Sequence, residues 1–199
     1  MTQPRPHTGR RRNEAARRAV LDAAVDLMAG SGGATVTTAE IAAAAGVSKQ
    51  TIYRWWPSKG AVLLEAITEW ARSLAPDPDS GSLREDLTVL LTTTFASAAA
   101  PAMSALLRAV LAEAQTEPAT AELLAGFARD RRAVLHGVLD RAQARGELPA
   151  TIDKEMLADQ VFGVLWYRLA VARAPLNAEV AARLVASLCA GSPVDRADS

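Results

Sequence analysis

Helix-starting and helix-ending signals punctuate this chain along its length, and no segment of strand period separates them. Thr37 and Glu40 have capping-box spacing, so a short helix should start near Thr38 and stop at Gly46. Ser48 can cap the next helix, which Pro57 should end, and Ser58 can cap a longer one through about Leu74. Ser82 with Glu85 repeats the box, Pro101 and Pro118 suit first helical positions, and Asp153 and Asn177 suit caps. Gly146, after "RAQAR", fits a C-terminal glycine. Alanine abounds and β-branched runs are absent. The expected fold class is all-α, with three short helices in front and about six longer ones behind, about nine in all.

Residues 1–12, "MTQPRPHTGRRR", read as a disordered basic arm. Ala16, Val20, Ala23, Ala24, Leu27 and Met28 then recur at helical spacing, and that helix ends at "GSGG". "APDPDSGS", residues 75–82, places a domain junction, with a helix crossing between domains as the alternative. The expected division is a head over 13–60, a helical second domain over 61–191 with 58–74 bridging the two, and a disordered tail over 192–199.

The formal net charge of zero hides an asymmetry. Residues 1–60 hold nine Lys and Arg against four Asp and Glu, while the remainder holds thirteen against eighteen. A basic front third calls for an anionic partner, nucleic acid first and a membrane surface second. Cys189 is the only cysteine, which rules out an intrachain disulfide and argues against a thiolate metal site. Acidic Asp22 and Asp26 interrupt the apolar residues after the arginines, so neither a secretory leader nor a membrane span is expected, and the expected location is cytoplasmic. No histidine pair, Gly-rich phosphate loop or nucleophile motif supports catalysis, so neither an enzyme nor a cofactor is expected.

The densest chemistry lies in "GVSKQTIYRWWPSKG", residues 46–60, which holds two of four tryptophans and two of three lysines. Short helix, Gly-Val turn, short helix is the spacing of a helix-turn-helix, whose second helix lies in the DNA major groove. At about 100° per residue, Ile52 and Trp56 fall together toward a small core with Val47 and Ile41. Gln50, Thr51 and Arg54 point the other way, Lys49 and Tyr53 lie on one flank and Trp55 on the other. Lysine and glutamine can bond base edges, and Ser48 with the free N–H groups of the first turn can bind phosphate. Lys59 can reach the backbone beside it. Arg10, Arg11 and Arg12 have two readings, a solvated charge run or contacts to DNA phosphates and the minor groove; their place directly before the head favours the second.

The stretch "TVTTAEIAAAAGVSKQTIYRWWPSKGAVLLEAI", residues 35–67, resembles the TetR family of bacterial one-component transcriptional regulators through its G-V-S-x-x-T-I-Y-x-aromatic-W-x-x-K pattern. The resemblance implies DNA contacts from Thr38, Lys49, Gln50, Thr51, Tyr53, Trp55 and Lys59, with Ser48 capping and Ile52 and Trp56 in the core. Two departures stand out. Trp55 replaces a frequent histidine, and Gly60 and Ala61 follow Lys59 where acidic residues are frequent, which weakens that helix start. Further on, "LLRAVLAEAQTEP", "RRAVLHGVLDRAQARGEL" and "GVLWYRLAVARAPL" look like one subset of these regulators. That implies a homodimer packed as a four-helix bundle, roughly Asp153–Val171 against Asn177–Leu188. Leu157, Val161, Val164 and Leu165, with Val180, Leu184 and Leu188, give matching apolar faces at helical spacing.

In the second domain Phe95, Met103, Leu107, Val110, Phe127, Trp166 and Tyr167 either line a ligand pocket, with His136, Gln160 and Arg168 as polar groups, or simply fill a core. The expected function is a ligand-responsive DNA-binding regulator, a repressor that binds a pseudo-palindromic operator as a homodimer and is released by a hydrophobic small molecule. The rival is a helical binding or scaffold protein that has lost sequence-specific DNA binding.

Overall fold

The computed structural model describes residues 8–30, 36–74 and 76–190, with side chains for all of these except 8–12 and 74. The described residues form helices α1 (Thr8–Gly30), α2 (Thr38–Ala44), α3 (Lys49–Trp55), α4 (Lys59–Leu74), α5 (Leu83–Ala99), α6 (Pro101–Ala114), α7 (Pro118–Ala144), α8 (Lys154–Trp166) and α9 (Ala178–Cys189). They contain no strand, so the all-α expectation holds. No single helix among them is long and apolar enough to cross a membrane.

The helix ends follow the local chemistry. Thr37 and Glu40 form the full capping box at α2, Ser48 accepts from the Thr51 N–H at α3, and Ser58 accepts from the Ala61 N–H at α4. Asp153 and Asn177 cap α8 and α9, and Pro101 and Pro118 stand in the first turns of α6 and α7. Gly146 has φ 82° after α7, where the Gly146 and Glu147 N–H groups return to the carbonyls of Gln143 and Ala142.

Three features differ from expectation. First, α1 starts at Thr8, so residues 8–12 are helical rather than part of a disordered arm; arginine is a good helix former and extends the frame of α1 backwards. The tail over 192–199, residues 1–7 and the side chains of Arg10, Arg11 and Arg12 lie outside the described residues. Second, residues 76–82, expected as a break between domains, are held by contacts that the local sequence does not announce. Arg141 of α7 bonds the Asp77 carboxylate and the Pro78 carbonyl, both at 2.8 Å, and the Asp77 bond raises its pKa above the usual guanidinium value. Ser80 donates from its N–H and its hydroxyl to the fully buried Asp86. Third, α8 runs on as a π-helical turn over Tyr167–Val171, closed by Ala172 N–H donating to the Tyr167 carbonyl at 2.8 Å.

One hydrophobic core runs from the head into the second domain. Helix α1 rests on α2, α4 and α6, α4 on α6 and α7, and α9 along α5. Helix α4 therefore belongs to both halves, through Val62, Leu63 and Ile67, each almost completely buried.

Candidate functional site

Helix α3 is held by two inner side chains. Ile52 is fully buried and Trp56 is 3% exposed; the Trp56 indole N–H donates to Glu65 Oε2 at 2.8 Å. Trp56 sits just past the last turn of α3, so it pins the helix end against α4. The turn into α3 needs Gly46, whose φ is 66°. The inner pair leaves the opposite face outward. Lys49, Gln50 and Arg54 are exposed, as is Tyr53 at 54%. The side chains of Lys49 and Gln50 make no hydrogen bond or ion pair with another described residue. An unpaired cation beside an unpaired amide, on a rigid helix, is ready to bond an anionic or polar groove.

Thr51 and Trp55 are half-buried on the flanks. The Thr51 hydroxyl lies 3.0 Å from Ser48 Oγ, so the capping serine is already engaged twice. The Trp55 ring meets Trp56 edge-on at 5.5 Å and carries the Arg54 guanidinium at 5.2 Å, which orders both outer residues. Thr38 is half-buried in the first turn of α2.

Lys59 departs from its expected freedom. Its Nζ lies 3.5 Å from Glu113 Oε2 at the end of α6, and its side chain is 25% exposed. Glu113 Oε1 also accepts from the Gly60 N–H at 2.7 Å and lies 3.4 Å from the buried Thr120 hydroxyl, which in turn lies 3.2 Å from Ser58 Oγ. The start of α4 is thus capped by an acidic residue from another helix, and the Gly-Ala sequence after Lys59 no longer weakens it. The absent side chain at position 60 is what admits that cap, because a Cβ there would lie 2.5 Å from Thr120 Cγ2. Sequence reasoning missed Glu113 and Thr120; their role depends on a contact across more than fifty residues. Arg17 and Arg18 are likewise engaged internally, Arg17 with Glu65 and Arg18 with Asp22 and Glu69.

In the second domain α4, α5, α6, α7 and α8 surround a cavity of about 390 Å³. Of the ten candidates, Met103, Leu107, Phe127 and Trp166 line it. Six other candidates do not. Phe95 and Val110 are fully buried in the core and do not border the cavity, although Leu91 and Leu107, one turn earlier, do. His136 sits between α7 and α8 with Nε2 3.3 Å from Glu155 Oε1, since its neighbour Leu135 occupies the inner face. Tyr167 is 60% exposed for the same reason: Trp166, about 100° away, points in. Gln160 is exposed, and Arg168 donates to the Pro175 carbonyl. The polar lining is instead Thr93, Thr94 and Ser97 of α5, Arg131 and Arg132 of α7, and Asp159 of α8.

Two residues expected on a dimer face also turn inward. Val161 and Leu165 are 2% and 5% exposed and line the cavity. Leu157, Val164, Val180, Leu184 and Leu188 remain half-buried, while Met156, Tyr167 and Val171 are more than half exposed.

Comparisons with known proteins agree with this geometry. Residues 20–66 match the family described as bacterial regulatory proteins, tetR family, and residues 77–188 match the tetracyclin repressor-like C-terminal domain. The HTH-type transcriptional regulator YdeS of Bacillus subtilis (strain 168) is 33% identical over 170 residues, 85% of each chain. The regulator AqdR of Rhodococcus erythropolis is 28% identical, over 83% of this chain and 80% of that one. Among solved structures, the TetR family transcription regulator SCO0332 superposes with a TM-score of 0.74 at 30% identity, covering 88% of this chain and 97% of that one. FadR of Bacillus subtilis, solved in complex with stearoyl-CoA, shares the fold with a TM-score of 0.65 at 19% identity, covering 87% and 98%. With one family match on the helix-turn-helix and another on the cavity-bearing helices, the chain belongs to the TetR family of transcriptional regulators and carries that family's DNA-binding domain.

Proposed function

We propose that this chain is a cytoplasmic, ligand-responsive repressor that binds a pseudo-palindromic operator as a homodimer. The observation that carries the reading is the outward, unpaired Lys49–Gln50 pair on a helix fixed by buried Ile52 and Trp56. Lys49, Gln50 and Thr51 read base edges, and Tyr53, Trp55 and Ser48 set register on the phosphates, with Thr38 beside them. Arg11 and Arg12, whose side chains lie outside the described residues, are further DNA contacts in this reading. Lys59 reaches a phosphate only by dividing its ammonium between that phosphate and Glu113, or by releasing Glu113. Two-fold symmetry sets the paired α3 helices about 34–36 Å apart, one DNA turn. The apolar residues left outward on α8 and α9 support the dimer: Leu157, Val164, Val180, Leu184 and Leu188, with Met156 and Tyr167 beside them.

The cavity is the effector site in this reading, and α4 is the lever. Its middle lines the cavity through Ile67 and Ala71, while its first turn holds Lys59 beside α3. A molecule that fits the cavity best when α4 is displaced favours a spacing of the α3 helices that no longer matches the operator. The coupling this requires is typically about 1–3 kcal/mol. FadR, a protein of this fold, was solved in complex with stearoyl-CoA, which supports ligand binding by this fold without naming this chain's own ligand.

The test is electrophoretic mobility on the chain's own upstream DNA. Lys49→Ala and Gln50→Ala should each cost about 1–3 kcal/mol at particular base pairs and relax preference there. If both changes weaken every sequence alike, α3 does not read bases. Failure of the unaltered protein to shift any upstream fragment would favour the scaffold alternative.

A further inference from the structure

The cavity wall formed by α7 carries two neighbouring guanidiniums in opposite circumstances. Arg132 is satisfied: Nη1 lies 2.6 Å from Asp159 Oδ1 and Nη2 lies 2.5 Å from Glu155 Oε2. Those bonds, the Glu155 one first, raise its pKa above the usual value. The Arg131 side chain lines the same cavity, is half-buried, and makes no hydrogen bond or ion pair with any described residue.

Arginine stays protonated whatever its surroundings, so it cannot escape burial by neutralising. A half-buried charge that donates no hydrogen bond is costly, and here the lining is otherwise mostly apolar. Burial is the main influence on Arg131 and lowers its pKa; its chain neighbour Asp130 opposes that shift, and Arg72 on α4 adds to it. A cationic ligand would find no free carboxylate, because Asp159, the acidic residue of the lining, is held by Arg132. Across the cavity Thr93 and Thr94 add hydroxyls, while Ser97 Oγ already accepts from the Trp70 indole at 3.1 Å.

We propose that the effector is an amphipathic carboxylate, whose apolar body fills the cavity and whose acid group pairs with the guanidinium of Arg131. The two oxygens of a carboxylate can accept two parallel N–H bonds from one edge of the guanidinium, which a hydroxyl head group cannot. This rests on the cavity being the effector site, and the experiment separates the two statements.

Isothermal titration calorimetry on the full chain compares two acids with their alcohols of like shape, decanoate with decan-1-ol and 2-naphthoate with 2-naphthylmethanol. Each acid should bind about tenfold or more tightly than its alcohol near neutral pH, as expected for a charge-assisted pair. Arg131→Gln should erase that preference while leaving the alcohols' affinity in place, and Arg131→Lys should retain part of it. Equal binding of acid and alcohol, or a preference that survives in R131Q, overturns the carboxylate assignment and leaves the cavity as an effector site. Binding of none of the four probes by protein whose helical circular dichroism is intact overturns the cavity reading and the carboxylate assignment with it.

Discussion

Gly60 shows how much a single missing side chain can decide. Its place is filled by Glu113 and Thr120, which reach the start of α4 from α6 and α7. Gly60→Ala would put a Cβ 2.5 Å from Thr120 Cγ2 and 2.7 Å from Glu113 Oε1. The glutamate can swing aside, but the buried threonine cannot, so the change should cost about 1–3 kcal/mol. Thermal melts of G60A, T120A and the double variant would check this: the double variant should be more stable than the two single losses added together. Additive losses would mean the contact is not what position 60 answers to. Neither partner was legible in the sequence. Gly60 read there as a weak helix start, because a cap supplied from another helix leaves no local pattern. Ile52 and Trp56, by contrast, follow from helical spacing alone, and both are buried.

At the level of elements, the legible features were those with local causes. The Thr37–Glu40 capping box, the Ser82 cap, the N1 prolines and the C-terminal glycines act within four or five residues, and each falls at an end of its helix, although Glu85 does not complete a box with Ser82. The cap of α2 makes a pH prediction. Glu40 accepts from the Thr37 N–H and hydroxyl, both at 2.8 Å, and those bonds, the backbone one first, hold its pKa below the ordinary 4.5. A carboxyl depressed on folding adds stability above its unfolded value and loses it as pH falls through the folded one. Glu40→Gln should therefore be less stable than the unaltered chain at neutral pH, and the gap in Tm should close on acidification below 4.5. A gap that stays constant with pH would show that the carboxylate charge contributes nothing. Less legible was which residue of an adjacent aromatic or apolar pair faces inward on α5, α7 and α8. Periodicity places a stripe, but the crossing of neighbouring helices decides which edge of it borders the cavity. That is why Trp166 lines the cavity and Tyr167 does not, and why Val161 and Leu165 face it rather than outward. The π turn at Tyr167 had no sequence signal at all.

In the whole molecule, the outward apolar residues of α8 and α9 bear on assembly. Tyr167 is 60% exposed in the protomer, so Tyr167→Asp should leave the fold intact and act only on association. Light scattering should show the variant as a monomer where the unaltered chain is a dimer, with operator affinity falling because two half-sites are no longer engaged together. A dimer that persists unchanged would place the interface elsewhere. The Glu113 contact has a different consequence, for interchangeability. Heads of this kind look modular, since the reading helix and its turn are compact and contiguous in sequence. Yet the last helix of this head is finished by a carboxylate from the body it sits on. A foreign head grafted here with its own acid at position 60 would set two negative charges against each other where one is already seated. Swapping recognition between such regulators would then require exchanging the seat together with the head.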